Sequence, residues 1–396
     1  MSYASPRERK AIPVLPEKGK AFWGIFRAAR RKSSTHKEKR IASPKGCACQ
    51  ARIRPPFDRG PRLAYCPNPM NGPPIAPEAP WLAPIAGYSD LPFRLLCRRL
   101  GAAAAVTEMV SVKGLLFRQP GTQKLLATCP EDSPLVIQLF GAKPEHFAPV
   151  MQGLIGQGFC LFDLNAGCPV RKVVKTGSGS ALLAEPERLL AIARVMVRAA
   201  VAAGGRVGVK LRLGFESGRD DVLDIGRALE QAGVSWLTLH PRFGRQMFTG
   251  RADWARLGAL VRAVRIPVLA SGDLHTAEDA IRCLAETNAA GVMFARGALH
   301  DPRVFERFAA LVRGRPAPDP DPAGLAGVAR AHVRLAKSLD GSEASLRKVR
   351  SFVPRYAKGL DGIRALRAKL SACRSWEELE AAAALIAGLA PIRPAG

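Results

Sequence analysis

The chain has 396 residues, of which 47% are hydrophobic, and it carries 60 Lys+Arg against 33 Asp+Glu for a formal net charge of +27. This hydrophobic content excludes a chain that is disordered throughout, and the length suffices for two or three domains. So large a positive surplus is costly through self-repulsion, and it favours a polyanionic partner over a small neutral substrate.

The positive charge lies mainly at the two ends of the chain. Residues 1–75 carry 17 Lys+Arg against 4 Asp+Glu, a net of +13, and residues 330–374 carry 12 against 3, a net of +9. The remaining residues hold only +5. The sequence therefore predicts a nearly neutral central body between two basic ends.

Residues 1–78 form a basic extension that shows no sustained hydrophobic period, and we expect it to be disordered. Its composition is also compatible with a transit peptide or an RNA-binding tail. Met70 offers an alternative start that would leave residues 1–69 untranslated. Cys47 and Cys49 lack a second pair at metal-ligand spacing, so we predict no metal site.

The nine cysteines show no spacing typical of a disulfide framework. No apolar run reaches the roughly 18–20 residues that a membrane span requires, and nothing resembles a secretory signal peptide. We therefore expect a cytoplasmic protein with reduced thiols and no membrane segment.

From Trp81 onward, short apolar runs alternate with amphipathic helical stretches, as in buried parallel strands joined by helices. Eight such units within residues 79–314 predict an α/β fold of the (β/α)8 TIM-barrel type. A doubly wound sheet is disfavoured because Leu182 stands where Gly177-Ser-Gly179 would need the last glycine of a GxGxxG motif. The predicted strands are Trp81–Ala86, Ala102–Met109, Pro134–Gly141, Cys160–Gly167, Val207–Gly214, Ser235–Arg242, Ile266–Asp273 and Ala289–Arg296.

A Pro-rich segment at residues 315–322 interrupts this pattern and indicates a linker. Beyond it, four helical stretches are predicted at 323–339, 343–358, 360–373 and 375–389. Because the +9 cluster lies there, we predict that residues 315–396 form a small basic all-α domain.

Catalytic residues of such barrels project from the carboxyl ends of the strands. Two glycine-containing turns, Ser271-Gly272-Asp273 and Ala295-Arg296-Gly297, follow the seventh and eighth predicted strands, where phosphate is commonly bound through backbone N–H groups. Either turn alone could be an ordinary tight turn. Together with the cationic side chain of Arg296, they favour a phosphate site.

Three further side chains at strand ends suit the edge of a bound ring. An unpaired ammonium within a strand is costly, so Lys210 requires either an anionic or electron-accepting ring or a barrel carboxylate beside it. Gln138 can donate and accept hydrogen bonds at once, which suits a flavin or a pyrimidine. For His240, at a strand end before Pro241, a binding role and a structural role remain equally open.

Cys168 follows Asn165-Ala-Gly at a predicted strand end and precedes Pro169, so a loop presents its thiol. A thiol in such a place is either a nucleophile or a proton donor. Proton donation requires the protonated form, which agrees with a free pKa of about 8.5.

The ordered series of these segments resembles the tRNA-dihydrouridine synthases, especially the bacterial B-type branch, over roughly residues 80–375. The segments that carry the resemblance are Ala83–Arg94, Thr107–Leu115, Leu164–Leu183, Leu239–Trp254 and Gly291–Leu299.

This resemblance implies an FMN-dependent reduction of uridine in tRNA, with NADPH regenerating the reduced flavin. Cys168 would protonate C5 of uracil while the flavin delivers hydride to C6, after the nucleotide has left its stack. Asn165 would orient the base. Matching positions imply that FMN is held by Pro84, Ile85, Ala86, Gln138, Lys210, His240, Ser271, Gly272, Asp273, Ala295 and Arg296.

The same resemblance implies that basic side chains near the pocket meet tRNA phosphates, and the position of the basic helical domain assigns it to tRNA as well. The expected contacts are Arg171, Lys172 and Lys175 near the pocket, and Arg347, Arg350, Arg355 and Lys358 in the helical domain.

Four positions depart from the family pattern. Ser271 stands where asparagine is common, Ala295 where glycine is common, and Pro241 and Phe243 replace the usual residues after the histidine. These departures concern flavin contacts and leave the cysteine loop intact.

Two alternative functions remain open at this point. An FMN-dependent barrel oxidoreductase acting on a small molecule would have no use for the basic helical domain. A nucleic-acid-binding protein with the barrel as a scaffold would leave Cys168, Lys210 and His240 unexplained. We expect no stable protein partner and a monomer.

Overall fold

The computed structural model describes residues 72–218, 221–317 and 320–390. Our predictions for the extension before residue 72, for Cys47 and Cys49, and for a start at Met70 lie outside the described residues. Residues 72–78, at the end of the predicted extension, lie against the barrel, where Trp81 Nε1 donates a hydrogen bond of 2.7 Å to the Pro74 carbonyl.

Eight parallel strands close into a barrel, which confirms the fold predicted from the alternation of apolar runs. Closure is visible in the register, because Trp81 pairs with Ala104 on one side and with Met293 of the last strand on the other. The strands are β1 Trp81–Leu82, β2 Ala104–Val106, β3 Val110–Ser111, β4 Leu135–Phe140, β5 Leu161–Ala166, β6 Arg206–Arg212, β7 Trp236–His240, β8 Val268–Ala270 and β9 Gly291–Phe294. Of these, β3 is a two-residue addition beside β4, outside the ring of eight.

Eleven described α-helices accompany the barrel strands, and none of the described helices is long and apolar enough to cross a membrane. They are α1 Leu91–Arg99, α2 Val112–Leu116, α3 Pro120–Gln123, α4 Phe147–Gly156, α5 Arg171–Val174, α6 Pro186–Val201, α7 Val222–Gln231, α8 Trp254–Ala263, α9 Ala277–Thr287, α10 Arg296–His300 and α11 Val304–Val312. Short 3-10 turns lie at Lys124–Leu126, Pro130–Asp132, Pro144–His146 and Gly179–Ala184.

The C-terminal region is helical, as predicted. Its helices are α12 Pro322–Leu339, α13 Glu343–Phe352, α14 Ile363–Ala372 and α15 Trp376–Ala384, followed by a 3-10 turn at Leu385–Gly388. The stretch predicted at 343–358 is shorter as an α-helix, because a 3-10 turn at Val353–Arg355 replaces its end. Pro354 explains this difference, since proline has no N–H for the helical hydrogen bond.

Aromatic side chains dock these helices on the barrel. The ring of Phe93 in α1 lies 5.7 Å from the ring of His332 in α12 and 4.9 Å from that of Phe352 in α13. Tyr356 Oη and His332 Nδ1 are hydrogen-bonded at 2.9 Å. Burial lowers the pKa of His332 to about 4, so this imidazole is neutral within the aromatic contact. The domain boundary between residues 314 and 315 stays a prediction.

The lower part of the barrel interior is packed with apolar side chains. The indole rings of Trp81 and Trp236 meet edge to face with centroids 5.8 Å apart, beside Leu161 and Met293. Gly208 makes room for this contact, since a Cβ there would lie 2.0 Å from the Trp236 ring. The interior is therefore solid below the strand ends, as expected of an eight-stranded barrel.

The end of the loop after β8 has a fixed conformation because a capping box begins α9. Thr276 Oγ1 accepts the Asp279 N–H at 3.1 Å, and the Asp279 carboxylate accepts the N–H groups of Thr276 and His275 at the same distance. The capping box therefore fixes the backbone that follows the Ser271–Asp273 turn.

Replacing Gly208 by alanine tests the interior packing. The added methyl group would overlap the Trp236 indole, so we expect Gly208→Ala to lower the free energy of unfolding by about 3 kcal/mol. Urea denaturation measures this change. Gly153→Ala is the control, because a Cβ there meets nothing within 4 Å, and alanine should stabilise α4 by about 0.5–1 kcal/mol. Equal stability of the Gly208→Ala variant and the parent protein would contradict the packing described.

Candidate active site

Four predicted site residues lie on consecutive strands at the mouth of the barrel. Gln138 belongs to β4, Asn165 to β5, Lys210 to β6 and His240 to β7, and Asn165 pairs with Lys210 in register. Side chains two or four residues apart on a strand share one face. Asn165 and His240 therefore face the interior, as do Leu161 and Trp236 four residues before them.

A chain of hydrogen bonds fixes the orientation of two amide side chains. Gln138 Nε2 donates to Asp163 Oδ2 at 2.7 Å, and Asn165 Nδ2 donates to Gln138 Oε1 at 2.8 Å. Asn165 Oδ1 accepts the backbone N–H groups of Gly167 and Cys168 at 3.2 and 2.9 Å. Since a backbone N–H can only donate, neither amide can flip without losing a hydrogen bond. These bonds connect a buried carboxylate to the loop that carries Cys168.

Asp163 and Lys210 are two ionisable groups within the barrel. Burial raises the pKa of Asp163 to about 7, although the hydrogen bond from Gln138 and the charge of Lys210 oppose the shift. Burial, together with the charge of Arg212, lowers the pKa of Lys210 to about 8. Among the described residues, Lys210 Nζ forms no hydrogen bond or close ion pair, although the charge of the barrel carboxylate Asp163 acts on it and opposes the shift. An ammonium in this state favours an anionic or electron-rich ligand beside it.

The thiol of Cys168 is half-buried and protonated at neutral pH. Burial raises its pKa above the usual value, and the backbone N–H of Val170 and the charges of Arg212 and Lys210 only partly oppose the shift. The loop folds back on itself, since Ser180 N donates to the Cys168 carbonyl at 3.0 Å. Gly179 permits this approach, with φ +63° and only 2.6 Å between a built Cβ and that carbonyl oxygen.

His240 is neutral in the site. Burial, followed by the positive charges of Lys210 and several arginines, strongly lowers its pKa. Arg242 Nη1 lies 3.1 Å from His240 Nε2. Because a guanidinium can only donate, Nε2 is the acceptor, and the ring proton of the neutral imidazole lies on Nδ1.

Arg212 is a buried residue of the site to which the sequence analysis assigned no role. Its Nε donates to the Gly167 carbonyl at 2.9 Å, and its Nη1 donates to the carbonyls of Phe243 and Met247 at 2.9 and 2.6 Å. It therefore ties the cysteine loop to the loop after β7. Phe248 in that second loop is half-exposed, with the guanidinium of Arg212 5.4 Å from its ring centroid.

Arg242 is the second buried arginine that the sequence analysis passed over. Its two terminal nitrogens bind both oxygens of Asp273 at 2.8 and 2.7 Å, and it also donates to the carbonyls of Thr249 and Gly250. Burial would raise the pKa of Asp273, but the hydrogen bonds from Arg242 and the Ala252 N–H, together with the charges of Arg242 and Arg296, outweigh it and lower the pKa. The sequence spacing could have indicated both arginines. Arg212 lies two positions after Lys210, and Arg242 lies two positions after His240, so each shares a strand face or its extension with a predicted site residue.

The two predicted phosphate turns lie side by side. Arg296 Nη2 donates to Asp273 Oδ1 at 3.0 Å, which connects the turn after β9 to the turn after β8. Gly272 has φ +103°, and a Cβ there would lie 2.6 Å from His240 Cδ2. Ser271 is buried, whereas Ala295 and the side chain of Arg296 are partly exposed at the mouth.

The side of the mouth next to α10 is strongly electropositive. Burial lowers the pKa of His300 to about 4, and the charges of Lys358, Arg355 and Arg296 add to the shift. Burial and the charge of Arg296 lower the pKa of His275 as well. Positive groups from the barrel and from the C-terminal helices therefore act on the same region, which suits an anionic ligand.

The predicted cofactor loop Pro84–Ala86 follows β1 and is partly accessible. Ile85 N donates to Ser89 Oγ at 2.9 Å, and Gly87 N donates to a carboxylate oxygen of Glu108. The loop therefore carries apolar side chains on a backbone that is held by hydrogen bonds to Ser89 and Glu108.

The predicted tRNA contacts differ in whether their side chains bind other groups of the protein. Arg171, Lys172 and Lys175 are exposed beside the cysteine loop, and Lys358 is also exposed. The other three bind protein groups: Arg347 the carboxylate of Glu343, Arg350 the Cys373 carbonyl at 2.9 Å, and Arg355 the hydroxyl of Tyr88.

The fold is a barrel of the (β/α)8 class, with buried polar and charged side chains at its mouth. The family model Dihydrouridine synthase (Dus) matches residues 81–388, and the chain therefore belongs to this family. This membership confirms the resemblance that the ordered motifs indicated.

Relatives support the same assignment. A protein named probable tRNA-dihydrouridine synthase from Mycobacterium tuberculosis H37Rv is 34% identical, covering 76% of this chain and 79% of its own. Probable tRNA-dihydrouridine synthase 1 from Synechocystis is 36% identical over 75% of this chain and 82% of its own. tRNA-dihydrouridine synthase B from Xanthomonas axonopodis is 33% identical over 72% and 85%.

Breaking the ion pair of Arg242 tests how the mouth is held together. Arg242→Met leaves Asp273 partly buried without its bidentate partner, so we expect the free energy of unfolding to fall by about 3 kcal/mol. Arg245→Met is the control: its ion pair with Glu216 is 2.7 Å long but exposed, and its loss should cost no more than about 0.5 kcal/mol. Urea denaturation of both variants measures the difference, and equal losses would refute it.

Proposed function

We propose that this chain reduces the C5=C6 bond of uridines in tRNA, with bound FMN as hydride donor and NADPH as reductant of the flavin. One observation carries the proposal: in a barrel of the dihydrouridine synthase family, the loop after β5 carries a protonated thiol, Cys168, and the adjacent strand β6 carries an ammonium, Lys210, that forms no hydrogen bond among the described residues. The relatives named tRNA-dihydrouridine synthase support the same substrate. We place the reaction in the cytoplasm and expect a monomer.

The residues of the mouth fit FMN. The ammonium of Lys210 would meet the electron-rich edge of the flavin ring, and His240 would offer its Nδ1 proton or its ring edge. The turns Ser271–Asp273 and Ala295–Arg296 would hold the phosphate, with Arg296 as the cationic donor. The loop Pro84–Ala86 would line the ring with apolar side chains.

Gln138 contributes to this site through Asn165. Its side chain is fully buried, with Nε2 bound to Asp163 and Oε1 bound to Asn165. We therefore assign Gln138 the task of fixing the Asn165 amide beneath the ligand. Because Asn165 Oδ1 is occupied by two backbone N–H groups, one N–H of Nδ2 is left to donate to a carbonyl oxygen of uracil.

Reduced FMN, when bound, would supply the hydride that adds to C6 of uracil. Cys168 donates the proton to C5, for which the raised pKa of its thiol keeps the proton available at neutral pH. The charges of Arg212 and Lys210 favour the thiolate that remains. A proton from solvent then restores the thiol.

The electropositive side of the mouth would receive the tRNA. Phosphates would meet Lys358 of the C-terminal helices and Arg171, Lys172 and Lys175 beside the cysteine loop, with an affinity that falls as salt rises. The target base must leave its stack to reach the barrel. Phe248, half-exposed in the loop after β7, offers an aromatic face for a base at the entrance.

Removing the thiol tests this function. The purified protein, loaded with FMN and reduced anaerobically by NADPH, should form dihydrouridine in an unmodified tRNA transcript. Cys168→Ala should keep FMN and its reduction by NADPH but lower the rate of dihydrouridine formation by about 100-fold or more, since it removes the general acid alone. Mass spectrometry of the tRNA measures the product.

The control variant is Cys373→Ala, which removes a buried thiol within the C-terminal helices and should react like the parent protein. A parent protein that binds no FMN, or that reduces no uridine in tRNA, would overturn the proposed function. An unchanged rate in Cys168→Ala would overturn only the role of the thiol.

The pH dependence of FMN affinity tests the role of Lys210. Because the pKa of Lys210 is lowered to about 8, its ammonium is charged below this pH and loses its proton above it. FMN affinity should therefore fall as the pH rises from about 7 to about 9, well below the ordinary lysine pKa. Flavin fluorescence titration measures the affinity. In Lys210→Met the affinity should be weaker and should lack the decline centred near pH 8, and a parallel decline in both proteins would contradict the assignment.

A further inference from the structure

One face of α13 and the turn after it is directed at the barrel. Lys348, Phe352 and Arg355 follow one another at intervals of four and three residues, which places them on one side of a helix. Phe352 packs edge to face on Tyr88 with ring centroids 5.3 Å apart. The guanidinium of Arg355 lies 4.3 Å from the Tyr88 ring centroid and donates to its hydroxyl. Phe352 and Arg355 therefore both contact Tyr88, in the segment of residues 87–90.

Lys348 binds two carboxylates at once. Its Nζ lies 2.8 Å from Asp90 Oδ2 and 3.4 Å from Glu108 Oε1. Burial would lower the pKa of Lys348, but the two carboxylates outweigh this effect and raise it. The ammonium is therefore charged throughout the neutral range and offsets the repulsion between Asp90 and Glu108.

Each of these carboxylates also holds backbone of the same segment. Glu108 Oε2 accepts the N–H of Gly87, and Asp90 Oδ1 caps α1 by accepting the N–H of Phe93 at 3.2 Å. Lys348 thus connects, through two side chains, to backbone groups at both ends of residues 87–93. Gly87 directly continues the loop Pro84–Ala86.

We propose that Lys348 is a positioning residue: through Glu108 and Asp90 it fixes the loop at residues 84–90, so that the C-terminal helices support cofactor binding. This inference rests on the proposed function only in taking Pro84–Ala86 as part of the FMN site. It adds that the helices assigned to tRNA also hold the cofactor loop.

The test compares three variants of the full-length protein. Lys348→Met removes the charge that joins the two carboxylates, and Lys348→Arg retains a cation able to bind both. Arg334→Met is the matched control, because Arg334 forms its 2.6 Å ion pair with Glu380 inside the C-terminal helices and does not touch the barrel loop. FMN affinity is measured by fluorescence titration, and the melting temperature of each FMN-free protein by thermal unfolding.

Lys348→Met should weaken FMN affinity about tenfold, since a charge-assisted contact that orders the site is lost. Lys348→Arg should restore affinity to within about twofold of the parent protein, and Arg334→Met should leave it unchanged. The near-ultraviolet and visible circular dichroism of bound FMN should change in Lys348→Met alone. If Lys348→Met and Arg334→Met lower the melting temperature by the same amount, the inference still requires that only Lys348→Met weakens FMN binding and changes the circular dichroism.

Equal FMN affinity of Lys348→Met and the parent protein would overturn the inference and leave the proposed function standing. Equal losses of affinity in Lys348→Met and Arg334→Met would also overturn it, because the effect would then reflect the stability of the helices. If the parent protein binds no FMN, the proposed function itself fails.

Discussion

Burial of charged groups is the constraint on which the mouth of this barrel depends. Removing a charge from water costs several kcal/mol unless partners replace the lost hydration. Arg242 meets this requirement through both oxygens of Asp273. Arg212 meets it only in part: it donates to three backbone carbonyls, but burial and the charge of Arg242 still lower its pKa to about 10. Lys210 does not meet it within the described residues, and its pKa falls as a result. An anionic ligand beside Lys210 would therefore offset part of the cost of its burial.

The same pairing determines the shape of the mouth. Loops carry few hydrogen bonds of their own, so their conformation depends on what binds their backbone. Arg212 binds the loops after β5 and β7 together, and Arg242 binds the loop after β7 to the turn after β8. Two guanidinium groups thus hold the loops that carry the Cys168 thiol and the Phe248 ring, and the predicted phosphate turn at Ser271–Asp273. Replacing either arginine would alter several parts of the site.

The C-terminal helices show why a count of charges overestimates an interaction surface. The +9 of residues 330–374 indicates a polyanion-binding region, but much of it is used within the protein. Lys348 and Arg355 face the barrel loop, Arg350 binds the Cys373 carbonyl, and Arg347 binds Glu343. Lys358 is among the basic side chains that remain exposed. The positive net charge indicated a polyanionic partner, but the role of each basic residue depended on its neighbours in the structure.

By itself, the amino-acid sequence determined the barrel, the order of its strands, the helical C-terminal region and the cysteine loop. These features rest on hydrophobic periodicity and on short motifs, which are local properties of the chain. The tertiary structure alone decided which charges pair at the mouth and between α13 and the barrel, because their partners lie far apart in sequence. Lys348 and Glu108 are separated by 240 positions, and Arg242 and Asp273 by 31. No local pattern encodes such a pair, since closure of the barrel and docking of the helices bring its two members together.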